Sequence, residues 1–99
     1  MGLVDGDTSI SKGSFAAALH AAGAGIAAVD KVMSGEVRNV FCPVRPPGHH
    51  AGPKGAVKNE YGVESHGFCF LNNISIAAAY AMNRYRDRVK KVAIVDFDV

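Results

Sequence analysis

The chain has 99 residues, 48% apolar and 20% charged, a balance that excludes a disordered segment and fits one small globular unit. Eleven Lys and Arg against nine Asp and Glu leave a formal charge of +2, too weak and scattered to argue for a nucleic-acid or membrane-surface partner. Cys42 and Cys69 lie far apart in apolar runs with no CxxC pair, which points to reduced, buried thiols in an intracellular protein rather than a disulfide or zinc knuckle.

The first residues, Met1 to Asp7, lack the basic region and long apolar core of a signal peptide, and Gly6 stands where a myristoylation signal needs Ser or Thr. Residues 14–33 carry Phe15, Leu19, Ala22, Ile26, Val29 and Met33 at steps of three and four, which predicts a helix with that face buried and a stop at Gly35. His20 and Asp30-Lys31 interrupt its alanine-rich stretch, arguing against a membrane span. Residues 39–44 form a short β-prone run ended by Arg45-Pro46-Pro47, because proline cannot donate to a ladder.

Residues 45–66 then read as a long Gly- and Pro-rich loop of the kind usually tied to function. Its Lys54, Lys58, Glu60 and Glu64 read as solvated. Asn72 or Asn73 is suited to cap a second helix with Ile74, Ala78, Ala81 and Tyr85 on one face. Arg84, Arg86, Arg88 and the Lys90-Lys91 doublet suit that helix's negative end. Residues 92–95 are continuously apolar, the pattern of a strand buried on both faces of a parallel sheet. The order of elements predicts an α/β fold.

In such sheets, sites collect at the carboxyl ends of strands. Two motifs fall there: His49-His50 beyond the first predicted strand, and Asp96 with Asp98 at the tip of the second. Pro46-Pro47 stiffens the approach to the histidines and Gly48 permits close packing, so the loop presents two imidazoles for proton transfer. Strand alternation puts Asp96 and Asp98 on one side, with Phe97 opposite. Two such carboxylates repel unless a cation or imidazolium lies between them, which suggests one metal ligand and one carboxylate orienting a histidine. Each motif has a plainer reading, as solvated histidines and as acidic residues ending a strand. His20, His66, Phe70 and Leu71 read as structural, and Cys69 has no sequence neighbour that plainly lowers its pKa.

Taken together, Val44-Arg45-Pro46-Pro47-Gly48-His49-His50-Ala51, Gly67-Phe68-Cys69-Phe70-Leu71-Asn72-Asn73 and Val95-Asp96-Phe97-Asp98-Val99 resemble the zinc-dependent histone deacetylases, class II branch. The stretch from Asp7-Thr8 through Ala24 is similar to the helix that precedes this site in the family, so the resemblance covers nearly the whole chain. It implies a three-layer arginase/deacetylase-like fold with a mostly parallel sheet, residues 1–99 being part of the catalytic domain. It implies hydrolysis of N-acetyl-lysine amides in histones or other proteins, with Zn2+ as cofactor. His50 would then be the principal general base and acid, and His49 its electrostatic assistant. Asp98 would be a zinc ligand. Asp96 would be the partner of His49 and a neighbour of a monovalent-cation site. Gly67 and Phe68 would line the acyl-lysine channel, and Asp7 or Asp5 would bind substrate backbone. A corepressor complex and residence in nucleus or cytoplasm are further expectations of the resemblance, with no direct nucleic-acid or membrane partner.

After Val99 the family pattern continues with a histidine ligand, a Gly-rich turn, a second aspartate ligand and a Tyr or His facing the intermediate. The chain is therefore expected to be a fragment, inactive alone. The alternatives are a catalytically dead relative acting as an interaction module, or part of an acetylpolyamine amidohydrolase.

Overall fold

The computed structural model describes residues 2–3, 8–52, 57–58, 64–65 and 67–98. The element order is β1 (Gly2–Leu3), β2 (Ser9–Ile10), α1 (Ser14–Met33), β3 (Val57–Lys58), β4 (Glu64–Ser65) and α2 (Asn73–Arg84). Both helices stand where the periodicity of the sequence predicts them. Asn72 is the N-cap of α2, its side chain accepting from the Ser75 N–H at 3.0 Å. Beyond α1, Gly35 takes φ +79° and donates its N–H to Val32 O, a left-handed turn that costs glycine little.

The buried face of α1 agrees with the expected one only in part. Phe15 and Leu19 are 69% and 50% exposed, whereas Ala22 is buried as expected and Ala18 and Ala21 are buried with it, α2 contributing Ala77 and Ala81 to the core. Ile74, expected on the buried face of α2, is exposed. Small side chains let the two backbones approach closely: a Cβ on Gly25 would stand 3.2 Å from Ala77 Cβ. Periodicity locates an apolar stripe, but in an alanine-rich helix the shape of the neighbour decides which edge of it is covered. By length and composition alone α1 could cross a membrane.

Polar contacts fasten the far end of the helix pair. Tyr80 and Tyr85 each donate a hydroxyl to Asp30 Oδ1 at 2.7 Å. Arg88 donates to the terminal carbonyl of Met33 at 3.0 Å, so a cation expected to serve the end of α2 instead serves α1.

The sheet expected at residues 39–44 and 92–95 is not formed among the described residues. The pairs present are two short antiparallel ones, β1 with β2 and β3 with β4. Phe41, Val95 and Phe97 are 87%, 81% and 88% exposed. Continuous apolar runs become central strands when neighbours cover both faces and take up the backbone groups; these runs lack that cover here.

Candidate metal centre

The histidine loop is held from α2. Asn72 Nδ2 donates to Ala51 O at 2.9 Å and Asn73 Nδ2 to Pro46 O at 3.1 Å, so two adjacent asparagines grip the loop on either side of His49-His50. Gly48 is buried between them, and a Cβ there would run into Leu71 O and Asn73 N. A glycine is thus required by close backbone approach at a position with no unusual backbone angle.

The two imidazoles lie with centroids 4.2 Å apart and planes tilted by 49°. Asp98 comes to them from the other end of the chain, with Oδ2 3.0 Å from His49 Nε2 and 3.9 Å from His50 Nε2. Asp96 does not meet His49 among the described contacts; its Oδ1 accepts the Asp98 N–H at 3.0 Å. The two aspartates are therefore linked in series, Asp96 holding the backbone N–H of the residue that reaches His49. His49, Asp96 and Asp98 also line an open cleft of about 480 Å³ with Cys42, Ile74, Ile94, Val95 and Phe97.

One donor atom from each of His49, His50 and Asp98 lies within 4.8 Å of the others. A carboxylate oxygen is a ligand that zinc accepts. The side chains of His50 and Asp98 are 46% and 60% exposed, which leaves the cluster open to solvent. The Asp98 carboxylate fits a zinc ion as one ligand, and the two imidazoles beside it are placed for proton transfer.

Gly67 and Phe68 form a turn beside this cluster, both with positive φ, +52° and +64°. A Cβ on Gly67 would press into the His50 ring, 2.9 Å from Cγ, so this glycine is the surface on which His50 rests. Phe68 is 53% exposed and lines a cavity of about 300 Å³ with Thr8, Arg45, Pro46 and Phe70. Burial pushes the Cys69 thiol above its usual range, while the backbone N–H groups of His50 and Ala51 offset part of that rise. It donates to Gly67 O at 3.3 Å. A buried, protonated thiol is a poor nucleophile, and Cys69 is part of the turn's support.

Asp7 and His66 lie outside the described residues. No motif assigns Thr8 a role, yet it is 1% exposed and its Oγ1 accepts the Phe68 N–H at 3.1 Å. No local pattern links residues 60 apart. The asparagine grip was half visible, since Asn72-Asn73 announce a cap but not the carbonyls their amides reach.

A model of the histone deacetylase domain matches residues 2–99. Type-2 histone deacetylase 1 of Dictyostelium discoideum is 50% identical over 95 residues, covering 96% of this chain and 6% of that protein. A probable deacetylase of Archaeoglobus fulgidus is 41% identical over 98 residues, 98% of this chain and 24% of the relative. A histone deacetylase-like amidohydrolase of Pseudomonas aeruginosa is 41% identical over 93 residues, 94% of this chain and 22% of the relative. The chain thus spans between 6% and 24% of the length of these three relatives.

Proposed function

The chain belongs to the histone deacetylase family, and from that premise we propose that it carries part of a zinc-dependent centre hydrolysing N-acetyl-lysine amides. Membership brings the arginase/deacetylase fold, and the mostly parallel sheet is the form proposed for residues 39–44 and 92–95 within a whole domain. Acetylated histones or other acetyl-lysine proteins are the proposed substrates, met in nucleus or cytoplasm and with a corepressor complex as the assembly. The observation that carries the reading is the convergence of His49, His50 and Asp98 on one point.

In this reading Asp98 is a zinc ligand. The metal supplies Lewis acidity and makes water acidic enough to act as a nucleophile near neutral pH. His50 takes a proton from the attacking water and delivers it to the departing lysine amine, a task suited to imidazole, which exchanges protons near neutrality. His49, its Nε2 against Asp98 Oδ2, adds positive charge where the carbonyl oxygen gains negative charge. Asp96 orients Asp98 through its backbone N–H and is the proposed neighbour of a monovalent cation. Phe68 and Gly67 wall the acyl-lysine stem, an apolar passage that admits the neutral amide and disfavours the charged amine. Asp7 is the proposed anchor for substrate backbone.

Catalytic zinc sites ordinarily use three protein ligands, and the family pattern assigns only Asp98 of the described residues to that task. The chain alone is accordingly proposed to hold zinc weakly and to be inactive. The test is zinc titration, followed by hydrolysis of an acetyl-lysine peptide by a protein in which this segment is joined to the remainder of a deacetylase domain. Zinc-dependent release of acetate, lost in His50→Ala, is the expected result. Turnover indifferent to zinc removal and to both histidines would refute the reading.

A further inference from the structure

Phe68 is an anomaly among the described residues. A bulky side chain adopts φ +64°, directly after Gly67 at φ +52°, a conformation that penalises any residue with a Cβ. Strain of this kind persists only where the surroundings over-determine it. The burial of Phe68 does not supply that restraint, because the ring is 53% exposed. The restraint is found at its backbone, where the N–H donates to Thr8 Oγ1 at 3.1 Å. Thr8 is itself 1% exposed, so water cannot readily replace it. On the opposite side Cys69 Sγ donates to Gly67 O.

The turn has two functional faces. One presents the Phe68 ring; the other is the bare backbone of Gly67, on which the His50 ring lies so closely that no Cβ fits. Releasing the Phe68 N–H would let the turn relax toward negative φ. It would then move the aromatic wall and withdraw the support of His50 together.

We propose that Thr8 is a positioning residue whose hydroxyl locks the Gly67-Phe68 turn and thereby sets both the Phe68 wall and the orientation of His50. Its catalytic consequence rests on the deacetylase reading above, but the lock itself does not. Thr8→Val keeps the shape and removes the acceptor, whereas Thr8→Ser keeps the acceptor and removes the methyl group.

In the full chain, hydrogen exchange at the Phe68 amide and the His50 ring-nitrogen chemical shifts are compared across the parent and both variants. T8V is expected to speed Phe68 exchange by about tenfold, the worth of one net hydrogen bond, and to shift the His50 ring nitrogens. T8S is expected to match the parent in both. Parent-like exchange and shifts in T8V would overturn the proposal, as would equal disturbance by T8S and T8V, which would make Thr8 a packing residue. If T8V fails to fold, T8S decides: parent-like readouts sustain the lock and lost protection at Phe68 ends it. Where the segment sits in an active deacetylase domain, T8V raises KM and lowers kcat for an acetyl-lysine peptide and T8S restores both. Absence of any turnover counts against the deacetylase reading alone, since the exchange and ring-nitrogen comparison requires no catalysis.

Discussion

His49 Nε2 and Asp98 Oδ2 lie 3.0 Å apart across 49 residues of sequence. The contact closes the cluster: His50 is placed by its chain neighbour and by Gly67, while Asp98 must be carried in by the segment following α2. Asp98 is 60% exposed, so the pair's worth as an isolated ion pair is small. Its significance is positional, because it sets a carboxylate oxygen beside two imidazole nitrogens.

The first prediction concerns that oxygen. Asp98→Asn leaves the size of the side chain unchanged but replaces an anionic donor by a neutral amide. Zinc affinity is expected to fall by more than the roughly 10–100-fold seen when residues behind metal ligands are lost. A cobalt(II) titration followed by visible absorption measures this without catalysis. Equal affinity in D98N and the parent would remove Asp98 from the ligand set.

The histidines are separable by kinetics. In an active domain containing this segment, His50→Ala is expected to lower kcat by about 10²–10⁴, the usual share of a general acid–base. His49→Ala should cost less if it acts through its charge. The comparison is made at saturating acetyl-lysine peptide, and a larger loss in H49A than in H50A would exchange the two roles.

Much of this site can be read in the sequence because its chemistry is carried by short, local motifs. His49-His50 and Asp96/Asp98 are such motifs, and the two helices follow from periodicity and from Asn72 and Gly35. Three features could not be read. Of the buried α1 residues, Ala22 follows from the periodicity, but Ala18 and Ala21 are hidden by the larger Phe15 and Leu19, since hydrophobicity ranks side chains by size and close helix packing selects small ones. The pairing of Asp98 rather than Asp96 with His49 goes with a local hydrogen bond, Asp96 Oδ1 accepting the Asp98 N–H, that strict alternation does not contain. Thr8 acts across 60 residues, a distance at which a lone threonine carries no signal. Among the described residues the predicted strands are unpaired for a related reason, because an apolar run specifies burial but cannot supply its own neighbours.

Asn72 performs two tasks that substitution can divide. Its Oδ1 caps α2 through the Ser75 N–H, and its Nδ2 holds Ala51 O. Asn72→Asp keeps the cap and loses the grip; Asn72→Ala loses both. N72A is expected to lower unfolding free energy by about 1 kcal/mol for the cap and by about another 1 kcal/mol for the loop bond. N72D should show only the second loss. Urea denaturation decides, and equal stability in the two variants would mean that the cap contributes nothing measurable.

The Asp30 clamp makes a pH prediction with a definite sign. Hydrogen bonds from Tyr85 and then Tyr80 hold the Asp30 carboxyl below its ordinary 3.8. The same bonds raise both phenols above their ordinary 10.0. A depressed acid contributes stability above its unfolded pKa, and that contribution disappears as pH falls through the lower folded value. A raised phenol contributes fully below 10 and loses its contribution as pH rises through the higher folded value. The parent's thermal midpoint should therefore fall at both extremes, with the clamp intact across the neutral range. Asp30→Asn removes the carboxyl on which these hydrogen bonds converge, so its midpoint should be lower at neutral pH and less dependent on pH at either end. Because the clamp joins α1 to α2 well away from the histidines, D30N should leave the Phe68 amide protection unchanged once the variant is folded. A D30N profile parallel to the parent's at acid and alkaline pH would show that other groups govern both limbs.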